Sequence, residues 1–336
     1  MKPGKLTIEQ LRKIVFPYTG QRRTEVLVHA SIGEDCAVVD LKDQLCVIST
    51  DPITGASKDK GYLGVHVACN DVIASGGKPL GILVTLLLKE DTTEEDIRTI
   101  IEGTNRACLE LGIEIIGGHT EITGSVKESI LSLTALGTKD RRYMEKQTPI
   151  APGDEIFLTK GGGIEGTAIL YNDFEDRFKG LVPSDLIERG QSMVNDLSVF
   201  KEGTVAIDHG AKMMHDVTEG GILGGLYELV DTTDLGIRIE EEAIFFHPAT
   251  WALKQVLPDL DLLRLISSGS LLIIAPPGND LQEALKDAGV TSYRIGRFTQ
   301  EKERILQRKD GTDAIIKEPK SDALWSAMEQ LKKEKE

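Results

Sequence analysis

The chain has 336 residues, room for one large domain or two ordinary ones, and its 40% hydrophobic and 28% charged residues exclude wholesale disorder. A net charge of −15 repels phosphate backbones, and aromatics at 5% are too few for base-stacking platforms, so nucleic acid is excluded as a partner. A phosphorylated ligand would have to meet this acidic surface through Mg²⁺.

No membrane or export signal is expected. The longest apolar run, Ile82–Leu88, is too short to span a bilayer, and the opening MKPGKLTIEQ has no apolar signal region. Cys36, Cys46, Cys69 and Cys108 have neither CxxC nor zinc-ribbon spacing. Such free thiols fit a reducing cytoplasm, with small core residues as their ordinary role.

In chain order, residues 7–15 predict a helix capped by Thr7, with Gln10 three residues later and a stripe of Leu11, Ile14 and Val15. Residues 16–34 are irregular and carry Arg22 and Arg23. Strands are expected at Cys36–Leu41 and Leu45–Thr50, a small-residue helix over 61–75, and a buried strand over 80–88. Thr93 and Asp96 resemble a capping box for a helix to about Leu111. A short strand, Glu114–Ile116, should end in Gly117-Gly118, with another strand at Ser129–Gly137. Pro149 and Pro152-Gly153 mark a boundary between domains 1–150 and 151–336. The second half restarts with a strand (Glu155–Thr159), a glycine loop (Gly161–Gly166) and a helix. Helices follow near 184–199 and 203–209, then a strand at Lys212–His215 and a helix over Glu219–Val230. Strands are expected at Gly236–Ile239, Leu271–Ala275, Ser292–Arg297 and around the Asp310-Gly311 hairpin turn, before a last helix, Ser321–Lys333, that frays into KKEKE. Strands and helices alternate, yet some links are hairpin-short. The fold class is therefore α/β (α+β), as two sandwiches rather than one parallel sheet.

Asp35, Asp51 and Asp71 sit at apolar strand ends or in the small-residue helix. Carboxylates against apolar surface need a partner or a metal, and converging Asp residues suit Mg²⁺. Taken singly, each serves equally well as a cap or turn residue. Gly161-Gly162-Gly163-Ile164-Glu165-Gly166-Thr167 follows a strand and opens a helix, so its amides can face phosphate, although it lacks the Lys-Ser/Thr of a P-loop and a plain turn is as good a reading. His215-Asp216-Val217-Thr218-Glu219-Gly220-Gly221 repeats that grammar: Thr218 can cap, Gly220 and Gly221 allow close approach, and Asp216 can bind metal or act as a base. His119, after Gly117-Gly118, is an acid/base or phosphate-contact candidate, against the commoner structural role.

In this order the motifs resemble the AIR synthase-related (PurM-like) superfamily. Ile32–Ala37 is similar to its glycine–acid–Asp motif, Ser49-Thr50-Asp51 to its Thr-Asp strand end, and Val67–Pro79 to its Asn-Asp helix. Gly117–Thr120 resembles its Gly-Gly-Asp/Asn-Thr turn, His215–Gly221 its Asp-x-Thr/Ser-x-Gly-Gly turn, and Ser268-Gly269 its late strand start. The resemblance spans about residues 25–300. It implies an N-terminal domain that forms a β-barrel with its twin in a homodimer, and a C-terminal α/β sandwich. It implies ATP in a groove and Mg²⁺ held by Asp35, Asp51 and Asp71, which Asp216 can join; His119 stands where the family's turn carries an acid or amide, and Asp216 and His119 are the candidate catalytic residues. The loops Gly161, Gly162, Gly163 and Gly166 and Thr218, Gly220 and Gly221 would face phosphate or substrate.

The HypE-like branch of hydrogenase maturation is the most similar. HypE proteins end in a cysteine that carries a thiocarbamoyl group dehydrated to a thiocyanate. No cysteine follows Cys108 here, so that reaction on the chain's own tail is not expected. The expected activity is Mg-ATP-dependent phosphorylation of an amide, acid or alcohol oxygen. The alternatives are a small-molecule kinase like thiamine-monophosphate kinase, whose signature has Asp where Glu219 stands, and a non-catalytic nucleotide-binding maturation factor acting through protein partners.

Overall fold

The computed structural model describes residues 8–10, 12–13, 24–29, 31–42, 44–53, 58–141, 144, 148–319 and 321–333. Thr7, Leu11, Ile14, Val15, Arg22, Arg23 and the last three residues of the tail lie outside them. Of the first predicted helix, α1 (Ile8–Gln10) is described.

The first half builds a six-stranded sheet in the order β1-β2-β3-β6-β4-β5. Its strands are β1 (Val26–Val28), β2 (Ala37–Asp40), β3 (Leu45–Ile53), β4 (Lys78–Leu88), β5 (Glu114–Ile122) and β6 (Ile130–Lys139). β1 falls in the stretch read as irregular. Only β4 and β5 run parallel, because α3 (Glu94–Leu111) carries the chain back between them. The Thr93–Asp96 capping box that starts α3 is formed: each side chain accepts from the other's backbone N–H.

β5 corrects the expected turn at Gly117-Gly118. The strand runs through both glycines, and Leu83, Val84 and Thr85 of β4 pair with Gly117, Gly118 and His119. The close approach explains the glycine: a Cβ on Gly118 would sit 1.9 Å from the Val84 carbonyl oxygen.

The second half builds a seven-stranded sheet in the order β13-β12-β9-β11-β7-β10-β8. Its strands are β7 (Glu155–Thr159), β8 (Met213–Asp216), β9 (Gly236–Glu240), β10 (Leu271–Ala275), β11 (Ser292–Thr299), β12 (Arg304–Gln307) and β13 (Asp313–Ile315). Alternate residues of β10 enter different cores. Leu272 and Ile274 pack with α4 (Ile164–Asp173) and α8 (Gly221–Asp231), whereas Leu271 and Ile273 pack with α7 (Phe200–Asp208) and α10 (Leu281–Asp287). Between these helices lie α5 (Glu175–Phe178), α6 (Ser184–Ser192) and α9 (Pro248–Ala252), and α11 (Ala323–Lys333) closes the chain. Helices thus cover both faces, as a sandwich requires. The helix expected over 184–199 is α6 followed by a 3₁₀ turn, Met193–Asp196.

Helix α2 (Lys60–Ala74) joins the halves. Thirteen of its fifteen residues are buried, so it is apolar on every side rather than amphipathic. Val65, Ala68 and Val72 fill the first sheet's core, while Leu63 and Val67 belong to the second sheet's core. Asn70, fully buried, bonds across the seam: its Nδ2 donates to the Leu197 carbonyl at 2.8 Å, and its Oδ1 accepts from the Val199 N–H at 3.0 Å.

The first sheet is covered on one face only. Leu80, Leu83, Ile116 and Ile122 on β4 and β5 are exposed, and the described residues of one chain form an open sheet. Among the described residues no helix is long and apolar enough to cross a membrane.

Candidate active site

The seam between the sheets opens into a cleft of about 840 Å³. Each acidic motif reaches it from a different element. Asp35 comes from the loop before β2, Asp51 from β3, Asp71 from α2 and Asp216 from the end of β8. The sequence separates them by up to 181 residues, and the α2 seam brings them together. Glu34, Glu165, Glu219 and Glu228 also line the cleft, against one basic side chain among the described residues, His215.

The aspartates act on one another. Ser49 Oγ donates to Asp71 Oδ2 and lies 3.4 Å from Asp51 Oδ2. Burial lifts the Asp71 carboxyl well above the usual carboxylate range, and Asp216, Asp51 and Asp35 add repulsion. Burial, with Asp35 next, pushes Asp216 up to about 7, while His215 pulls it back. Asp216 is 2% exposed, and its Oδ2 has no hydrogen-bond partner among the described residues. Carboxylates crowded in this way are short of positive charge.

His215 supplies part of it. Its Nδ1 lies 2.7 Å from Asp35 Oδ1, and its Nε2 lies 3.4 Å from Glu228 Oε2 on α8. Burial opposes its protonation, but Asp35 and Glu228 together hold it well above an ordinary histidine, so it is an imidazolium at neutral pH. Beside them, the Cys36 thiol is buried and its pKa is driven up, first by burial and then by Asp71, so it is inert rather than nucleophilic.

Among the described residues no three acidic, histidine or cysteine side chains converge tightly enough to cage a metal by themselves. Mg²⁺ does not need such a cage: it takes one or two carboxylates together with substrate phosphates and water. The donor set of hard oxygens, with one orphaned oxygen on Asp216, fits that ion in company with a phosphorylated ligand.

The other predicted residues are placed differently. His119 stands on the exposed face of β5, 3.2 Å from Glu121 and outside the cleft of its own chain. The amides of the glycine loop have acceptors within the chain: Gly161 donates to Thr159 O, Gly162 to Phe245 O, Gly163 to Ser267 Oγ and Gly166 to Ile266 O. A Cβ on Gly162 would meet Ile222 at 2.5 Å and Phe246 at 2.6 Å, so close packing already accounts for that glycine. Gly220 donates to Asp322 Oδ2 at 2.6 Å and Gly221 to Thr218 O at 3.1 Å. Thr218 lines the cleft, as does Glu165 from the first loop.

Sequence reasoning missed Ser49, Glu165, His215, Glu228 and Trp325. Two of these had a visible signal: Glu165 is an acid flanked by Ile164 and Gly166 at a buried helix start, and His215 precedes Asp216 at an apolar strand end.

Comparison with known proteins agrees with this architecture. Residues 33–138 match the model of the AIR synthase related protein, N-terminal domain, and residues 151–309 match that of its C-terminal domain. The chain is 28% identical over 324 residues to a putative hydrogenase expression/formation protein of Methanocaldococcus jannaschii, covering 90% of each chain. It is 27% identical over 274 residues to the carbamoyl dehydratase HypE of Cupriavidus necator, covering 78% of this chain and 76% of that one. Among solved structures, the HypE–HypF complex aligns with a TM-score of 0.71 at 20% identity, over 92% of this chain and 99% of that chain. A HypE in complex with ATP aligns with a TM-score of 0.69 at 16% identity, over 96% and 98%. Two matched domains in one order, on the two sheets described, make this chain a member of the AIR synthase-related family with the PurM-like two-domain fold.

Proposed function

We propose that the chain is an ATP-using enzyme of the HypE-like branch, which phosphorylates an amide, acid or alcohol oxygen of its substrate. The observation that carries this reading is the convergence of Asp35, Asp51, Asp71 and Asp216 in one cleft, with Asp71 and Asp216 held above their ordinary protonation range. Relatives named carbamoyl dehydratase, and similar folds solved with ATP or with AMPPCP, support a nucleotide there.

In this reading Asp51 and Asp71 hold Mg²⁺, with Asp35 assisting. When bound, the ion would neutralise phosphate charge. The chain's own residues do the rest. Ser49 fixes the Asp71 carboxylate through its hydroxyl. His215, an imidazolium pinned between Asp35 and Glu228, supplies fixed positive charge at the cleft wall. Asp216, poised near neutrality, takes the proton that the substrate loses, from the hydroxyl of an alcohol or acid or from the nitrogen of an amide, as the oxygen's bond to the terminal phosphorus forms and the bond to the bridging oxygen breaks.

The uncovered face of the first sheet supports a homodimer in which two open sheets close on each other, and the HypE–HypF complex supports a maturation-protein partner. The test is Mg²⁺-dependent ATP turnover by wild type and Asp51→Asn, with candidate substrates that include thiamine monophosphate for the kinase alternative. Removing a charge-positioning carboxylate should cost roughly 10²-fold or more. Turnover within about twofold of wild type overturns the assignment.

A further inference from the structure

Asp71 is held from outside the cleft. Lys160 follows β7 with φ at 59°, in the left-handed region that a turn alone would fill with glycine. A lysine kept in that conformation needs a use for its side chain. Its Nζ donates to the carbonyl oxygens of Asp196 at 2.9 Å and Ser198 at 2.7 Å, and lies 2.7 Å from Glu202 Oε1 on α7. An ammonium has three N–H donors, and here each has an acceptor. The lysine side chain is 21% exposed and that of Glu202 2%, so the pair is largely withdrawn from water. Lys160 does not itself line the cleft.

The two structures that Lys160 grips flank Asp71 on α2. The first is the loop Asp196–Val199. Its Asp196 and Ser198 carbonyls take Lys160, while its Leu197 carbonyl and Val199 N–H take Asn70, so successive residues alternate between two side chains. Gly269 presses on the same loop: a Cβ there would lie 2.7 Å from the Asp196 carbonyl oxygen and 3.0 Å from the Leu197 Cα. Asn70 immediately precedes Asp71. The second is α7, which carries Glu202 and meets α2 at the next position. A Cβ on Gly203 would lie 2.2 Å from Cγ2 of Ile73, two residues after Asp71. One ammonium therefore ties together the loop and the helix that bracket this carboxylate.

We propose that Lys160 is the positioning residue for Asp71: through the Asp196–Val199 loop with Asn70, and through Glu202 with α7, it fixes where α2 presents that carboxylate among the other aspartates. The inference rests on the nucleotide reading only in treating Asp71 as a metal-binding group. A lysine that merely stapled the fold would add stability without regard to the charge on Asp71. A positioning lysine makes the effect of that charge depend on its own presence.

The test is a double-mutant cycle on the full, ligand-free chain at pH 8, read as urea midpoints of wild type, Asp71→Asn, Lys160→Met and the pair. Removing the Asp71 charge relieves repulsion only where that carboxylate is held against its neighbours. The upward shift of the midpoint on Asp71→Asn should therefore fall to less than half in the Lys160→Met background. A shift that is undiminished there, or absent from wild type, overturns the proposal, whatever Lys160→Met does to stability by itself. If Lys160→Met does not fold with Glu202 left unpaired, Lys160→Gly with Glu202→Gln takes its place. That background removes both charges and suits the left-handed backbone, and it is scored in the same way. Titration of wild type with Mg-ATPγS is scored separately. A diminished shift without nucleotide binding keeps Lys160 as the positioning residue and removes the phosphoryl-transfer reading. Nucleotide binding with an undiminished shift does the opposite.

Discussion

Asp35 Oδ1 and His215 Nδ1 meet at 2.7 Å across 180 residues of sequence, one from the first sheet's entry loop and one from the edge strand of the second sheet. This pair and its neighbours set a pH dependence with one sign. His215 has a raised pKa, so its contribution is complete below about 6.5 and is lost as pH climbs through the raised value. Asp71 and Asp216 are raised acids, so the folded state holds their protons more tightly than the unfolded state does. Their ionisation above the ordinary carboxylate range therefore also costs stability. The ligand-free chain should lose on the order of 2 kcal/mol between pH 5.5 and pH 8 in urea unfolding. Asp35→Asn should flatten that fall, and a stability that rises over this interval would contradict the assignment.

Asp71→Asn should separate stability from binding. The amide keeps an acceptor for Ser49 but removes one charge from a repelling set. At pH 8 the variant should melt a few degrees above wild type without ligand, on the order of 1 kcal/mol. It should bind Mg-ATPγS roughly 10²-fold more weakly. Differential scanning fluorimetry with and without Mg²⁺-nucleotide reads both effects.

Asn70→Ala removes the bridge between α2 and the Leu197–Val199 turn. It strands a buried carbonyl and a buried N–H. Each orphaned group costs about 1–3 kcal/mol, so the variant should unfold at markedly lower urea. A midpoint unchanged from wild type would mean that the seam holds without this residue.

The uncovered face of the first sheet should be a contact between two copies. Ile116→Lys places a charge at a position that is 50% exposed on edge strand β5. If two sheets close there, sedimentation should show a dimer for wild type and a monomer for the variant. A wild-type monomer at micromolar concentration would rule the interface out, and with it any place for His119 between copies.

Local chemistry made the element pattern legible. The Thr93–Asp96 box, the apolar strand Leu271–Ala275 and the Asp310-Gly311 turn each carry their own signal, and each forms. Gly117-Gly118 misled because glycine marks a turn and a close strand approach equally well, and the Val84 carbonyl that decides between them is 34 residues away. Of the site, the aspartates were readable because carboxylates in apolar surroundings need a reason. In the first glycine loop, amides that could face phosphate have acceptors in Phe245, Ser267 and Ile266, contacts from distant residues that the loop's own sequence does not show. His215 and Glu165 carried only local signals, a histidine at an apolar strand end and an acid at a helix start; their pairings could not be read, because the partners come from other elements and only the assembled seam brings them together.

The placement of α2 has a mechanical consequence. Asp71 rides on a helix whose neighbouring turns are locked into two cores at once, and Asp216 ends the strand beside it. The separation of these repelling groups is therefore set by hydrocarbon contact rather than by whatever they bind. The pair behaves as a clamp already closed before any ligand arrives. Domain motion cannot relax it without opening the seam, so relief comes only from a cation or a proton, and that makes the cleft a selector for positive charge at rest.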